Sequence, residues 1–375
     1  SDNETANGIT ALGYAALLAN NAAANTAVGQ HAGYANTTGT CNTAVGFCTM
    51  KNNTTGNCNT AVGLCTLYSN ISTSNNTAIG VFALRDNWAG NVNTGIGYKA
   101  LMSNTSGYYN LALGGHALED MTTGAQNVAV GHCALHQSNA NNNTAVGMYA
   151  MLCNTSGTTN AALGLCAMCG NTTGHRNTGL GVHALLTSTN GYDNVAVGYK
   201  ALEDTTSGYR NVAVGCGAAG DNTSGACNIA IGYQALVTNT TANDNTAIGE
   251  CSLYSNLSGA DNIMIGKHAG KITNAHNNIG IGTNALGYNT VGYQNVALGR
   301  CALWKNTTGV YNTAVGGAAL QTNITGGFNT VIGNIAGMKH TGSNLIAVGY
   351  GAAGCNTTAS GNVAVGSSAS FCNET

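Results

Sequence analysis

Proline is absent from this chain of 375 residues, and charge is nearly so: Asp, Glu, Lys and Arg together make up 6%. Ordinary globular proteins carry roughly 25%. The net charge of −2 comes with no basic run, which excludes the clustered Lys/Arg surface that nucleic acid demands. No stretch of about 18 apolar residues occurs, so no helical membrane span is expected. Aromatics are scarce at 6%. Charge is too low, and the 43% hydrophobic content too high, for a conventional disordered chain. Gly, Asn, Thr and Ala fill the space left by these absences, in fixed phases.

The phrase Asn42-Thr43-Ala44-Val45-Gly46 returns along the whole sequence. Aligned on its closing glycine it occurs 22 times, from Gly13 to Gly366, with 17 intervals of 17 residues and four of 16. So short and steady a period predicts stacked coils and a single continuous solenoid domain over residues 1–375, without evident caps. Taking the glycine as position 0, position −1 is always aliphatic (Leu12, Val28, Val45, Val62), −2 is mostly Ala, and −3 mostly Thr, Val or Ile. This alternation of β-branched residues predicts a strand with −1 in the core. A small residue at +3 and Leu or Met at +4 (Leu67, Leu84, Met50) suggest a second short strand. The coil closes through Asn-Thr-Thr-Gly, as at Asn36 to Gly39, where Gly suits a positive φ. The expected fold is therefore all-β, a parallel β-solenoid or β-roll of about 22 coils. The density of Gly and Asn opposes a helical repeat. Position −4 is Asn in 20 of 22 coils, the exceptions being Ile9 and Leu345, which predicts an Asn ladder.

The phrases Asn-Thr-Ala-Val-Gly-x-x-Ala-Leu and Asn-Thr-Thr-Gly resemble the repeats of trimeric autotransporter adhesin heads and of phage and virus tail-fibre proteins. The resemblance covers the whole chain. In adhesin heads it implies a left-handed parallel β-roll, three chains side by side, and attachment to a surface.

Sixteen sequons offer N-glycosylation candidates: Asn3, Asn36, Asn53, Asn70, Asn75, Asn104, Asn142, Asn154, Asn171, Asn222, Asn239, Asn256, Asn306, Asn323, Asn356 and Asn373. All but Asn75 and Asn142 stand at +7, which predicts one decorated edge. The alternative is that Asn-Thr-Thr-Gly is simply a good turn. Fourteen cysteines favour an oxidising, extracellular or secreted setting. Cys41 with Cys58, Cys48 with Cys65, Cys153 with Cys169 and Cys355 with Cys372 stand at matching or nearly matching phases, as disulfide candidates between rungs. Space-filling is the plainer alternative. Position +2 mixes His and Cys (His116 with Cys133, Cys166 with His183, Cys251 with His268). Each pair offers only two ligands where a structural zinc site wants four, so no metal site is expected. Glu119, Asp120, Glu203 and Asp204 read as turn residues. Neither a phosphate loop nor a catalytic constellation stands out, so neither enzyme activity nor a cofactor is expected.

These features point to a structural extracellular fibre protein. Its partners would be further copies of itself, stacked head to tail through uncapped sheet edges or laterally as a trimer, together with glycans or cell surfaces. The alternative is an adhesin or viral-fibre shaft. An ice-binding solenoid is a third option: Thr recurs at −3 in Thr26, Thr43, Thr60, Thr77 and Thr94, but Val128, Val195, Val212 and Ile229 break that face.

Overall fold

A computed structural model describes residues 7–371. It is a parallel β-solenoid of 22 three-residue strands. The strands divide between two compact units, Ser1–Asn190 and Gly191–Thr375. The first unit holds β1 (Thr10–Leu12) to β11 (Thr178–Leu180), and the second holds β12 (Val195–Val197) to β22 (Val363–Val365). Within each unit every strand pairs in parallel with the next at one-coil offset: Thr43, Ala44 and Val45 stand beside Thr60, Ala61 and Val62. The 16-residue coils keep this register, as Ile263 beside Ile279 shows. Among the described residues there is no helix, and hence none long and apolar enough to cross a membrane.

The strand faces are opposite to the sequence expectation. Ala at −2 points inward and is buried, as at Ala61 and Ala78. The aliphatic residue at −1 points outward, with Ile79 39% and Leu163 50% exposed. The interior is narrow, and two backbone walls so close together accept a methyl group opposite the leucines but not a second branched side chain. Those leucines and methionines at +4 are fully buried, among them Met50, Leu67, Leu84 and Met151.

The second strand does not form. After the glycine the chain makes two consecutive tight turns, with Ala83 N donating to Gly80 O (3.3 Å) and Asn87 N to Leu84 O (3.3 Å). Phe82 and Leu84 are left-handed, at φ 60° and 50°, and the same two positions are left-handed in most coils. Such a conformation costs an L-residue about 1 kcal/mol or more. It is offset by rung-to-rung bonds that continue through the turn: Phe82 N to Leu64 O (3.0 Å) and Leu84 N to Ala100 O (2.9 Å).

Two glycine columns serve close stacking. A Cβ on Gly46, at φ 135°, would stand 2.3 Å from Gly63 O. Gly56 closes the Asn-Thr-Thr-Gly turn without a positive φ; its need is space, since a Cβ would lie 2.3 Å from Thr73 O and 2.4 Å from Asn53 Oδ1.

Candidate functional site

The most regular polar structure is interior. Along the −4 column, Asn59 N donates to Asn42 Oδ1 (3.0 Å) and Asn76 N to Asn59 Oδ1 (3.0 Å). The ladder thus runs chiefly from side-chain oxygen to the backbone of the next rung. Where Leu345 replaces Asn, its backbone N still donates to Asn329 Oδ1 (2.8 Å).

The +7 column is a second ladder and not an exposed edge. Asn53 Nδ2 donates to Asn36 Oδ1 (2.8 Å) and to Gly56 O (3.1 Å). Gly56 O also accepts from Asn42 Nδ2 (2.8 Å), so the two ladders meet on one carbonyl. The expectation of a decorated edge is corrected accordingly. Asn36, Asn53, Asn70, Asn104, Asn154, Asn171, Asn222, Asn239, Asn256, Asn306, Asn323 and Asn356 are all buried. Asn75 and Asn142 are exposed. Asn3 and Asn373 lie outside the described residues. Column regularity was legible in the sequence; which column faces inward was not.

The rung-to-rung disulfides are also corrected. All cysteines among the described residues are free, including Cys41, Cys58, Cys48, Cys65, Cys153, Cys169 and Cys355; Cys372 lies outside them. In-register parallel strands hold equivalent atoms near the rung spacing of about 4.8 Å. A disulfide needs Cβ atoms near 3.8 Å. Burial, then the neighbouring Cys153 and Cys166, push the Cys169 thiol up to about 11.

Aromatic rings stack between rungs as expected. Tyr192 and Tyr209 lie 4.9 Å apart at an interplanar angle of 2°. Farther along the second unit, Tyr288, Trp304, Lys305, Thr307 and Ile324 line a shallow surface depression. There Tyr288 meets Trp304 edge-on at 5.5 Å, and Lys305 Nζ stands 5.9 Å from the Trp304 ring.

The densest polar cluster on the outer surface was missed in the sequence reading. Across each pair of tight turns, positions +2 and +5 of neighbouring rungs converge. In the first unit this brings together Lys99, His116, Glu119 and His136. His116 Nδ1 hydrogen bonds to Glu119 Oε2, and Lys99 Nζ stands 3.2 Å from Glu119 Oε1. His136 places Nε2 3.3 Å from Glu119 Oε2 and Nδ1 3.3 Å from Asp120 Oδ2. Glu119 is buried. Burial pushes its carboxyl up, but His116 and Lys99 together hold it below its ordinary value. The signal was the recurrence of titratable residues three apart across the turn, which a search for Cys/His pairs within one column cannot find.

Comparison with the models of known protein families gives no match. Comparison with curated proteins likewise gives none.

Proposed function

We propose that this protein is a structural extracellular fibre protein that assembles by self-association. The observation that carries this reading is the outward aliphatic column: every coil sets a Val, Ile or Leu at −1 on the outer face of the sheet. Val62, Ile231 and Ile332 are among its exposed members. Position −3 adds Thr, Val or Ile beside it. A contiguous apolar face is costly to leave in water, and flat in-register sheets cover such faces by packing on each other. The resemblance to adhesin heads and tail fibres, where three chains lie side by side, agrees with lateral burial of this column. Head-to-tail stacking is part of the same reading. Each rung offers the next the same row of donors and acceptors, so the pattern carries no intrinsic limit on length. In this reading N-glycans are confined to Asn75 and Asn142, which stand clear of both ladders.

Electron microscopy and light scattering of the full chain test the proposal. Filaments or defined multimers at low micromolar concentration are expected. Monodisperse single chains over a wide concentration range would refute it.

A second reading, an adhesin or fibre shaft with a binding face, is favoured by the aromatic depression at Tyr288 and Trp304, whose flat rings suit a sugar face. Binding to a glycan panel that is lost on Trp304→Ala would favour it. The ice-binding reading rests on the outward row Thr26, Thr43, Thr60, Thr77 and Thr94, which ends at Leu111. Absence of thermal hysteresis would remove it.

A further inference from the structure

We propose that His116, Glu119 and His136 form a binding site for a divalent transition-metal ion of the zinc type. Each contributes one ligand atom, and the three atoms lie within 4.8 Å of one another. Two imidazoles and one carboxylate are a ligand set suited to Zn2+, Ni2+ or Co2+, and unsuited to Ca2+ or Mg2+, which take oxygen ligands.

The geometry is closer to a metal site than to a chance cluster on three counts. Bonds of about 2.0–2.1 Å to a tetrahedral ion put neighbouring ligand atoms about 3.3 Å apart. His136 Nε2 and Glu119 Oε2 already stand at 3.3 Å. The second count is that the outer partners are in place. Asp120 Oδ2, 3.3 Å from His136 Nδ1, holds the proton on that nitrogen and leaves the Nε2 lone pair for the ion. Lys99 Nζ occupies Glu119 Oε1 at 3.2 Å and so leaves Oε2 as the ligand atom. Finally, the carboxylate is buried beneath imidazoles that are only partly covered, with side-chain exposures of 28% for His116 and 23% for His136. Solvent therefore reaches the ligand atoms from one side, giving the ion a way in and leaving a coordination position for water. The ion takes the place of the hydrogen that links His116 Nδ1 to Glu119 Oε2, with His116 carrying its remaining proton on Nε2.

The fold supplies this constellation at one place. It needs His at +2 with Glu at +5 in one coil, and His at +5 in the next. His116, Glu119 and His136 meet that requirement. Elsewhere among the described residues, Glu250, Cys251 and His268 form a looser group. There Glu250 is exposed and paired with Lys267 at 2.9 Å, and no outer carboxylate orients the imidazole.

The test is titration of the full chain with Zn2+ by calorimetry, with Co2+ as the optical probe. Wild type should bind one ion whose Co2+ spectrum lacks sulfur-to-metal charge transfer. His136→Gln should abolish that event. Asp120→Asn, at an exposed positioning residue that a fold does not need, should weaken it about tenfold. His183→Gln, at a +2 histidine outside the cluster, should leave it unchanged. Zn2+ should raise the melting temperature of wild type and not that of His136→Gln, whose metal-free melting should match wild type. No binding by wild type, a thiolate spectrum, or a Zn2+ event retained in His136→Gln would each overturn the proposal.

Discussion

Asn70 Nδ2 donates to Asn53 Oδ1 at 2.7 Å, inside the coil and out of reach of water. The two residues belong to sequons one rung apart, and this bond turns both inward. The amide nitrogen that would carry a glycan is instead a rung of the interior ladder.

Glycan occupancy should follow from that bond. In a glycosylating host, peptide mass spectrometry should find sugar at Asn75 and Asn142 and none at Asn53, Asn70 or Asn104. Substantial occupancy at the buried amides in folded protein would contradict the ladder.

Cutting the ladder should be costly and local. Asn53→Ala removes the donor to Asn36 Oδ1 and the acceptor for Asn70 Nδ2. Each buried group left unpaired costs about 1–3 kcal/mol. Thr54→Ala, one residue on, removes only an exposed hydroxyl bond to Ile71 O (3.0 Å) and should cost well under that. Hydrogen exchange resolved by coil is the suitable measurement, because long repeat arrays need not unfold in two states. Faster exchange should be confined to coils near residue 53 in the first variant and near absent in the second.

Acid should loosen the coil that carries His340. This residue takes the place of Asn in the +7 column, is fully buried, and neither ring nitrogen makes a full hydrogen bond. Burial lowers its pKa, against a weaker opposite pull from the backbone of Gly342 and Asn356. The unfolded chain therefore takes up a proton near pH 6.5 that the folded chain refuses until lower pH, so stability falls as pH drops through that window. His340→Asn removes this slope and offers an amide donor to Asn323 Oδ1, which lacks one. Exchange measured at pH 7.5 and 5.5 should differ less around residue 340 in the variant than in wild type.

Thiol reactivity should be graded. Cys216 and Cys227 are exposed, whereas Cys169 is partly covered with its pKa raised to about 11. Only about one thiol in a thousand is ionised three pH units below its pKa, and the thiolate is the nucleophile. Alkylation at pH 8 followed by mass spectrometry should modify Cys216 and Cys227 well before Cys169.

Charge on the outward column should block assembly without unfolding the chain. Val62→Asp and Ile79→Asp place carboxylates on the outer sheet face, where Val62 is 36% exposed. Circular dichroism should stay unchanged while multimers or filaments dissolve. Unaltered assembly would move the self-association surface elsewhere.

The sequence by itself determined the coil. A 17-residue period, a glycine that admits the next rung's carbonyl, and an Asn four places before it suffice for parallel rungs in register, because each is a local requirement repeated 22 times. It also marked Tyr192 over Tyr209, since equal phase in a parallel stack means adjacency. The tertiary structure decided inside from outside. Val45 and Ala44 are neighbours on one strand, and pattern alone assigns the larger to the core. The coil is too thin for that: its width admits Ala44 opposite Met50 and sends Val45 to the surface. The same closure turned Asn53 inward and Asn75 outward. It also brought His136 to Glu119 across 17 residues of sequence, a meeting set by two tight turns and their left-handed residues, which no periodicity of apolar residues encodes.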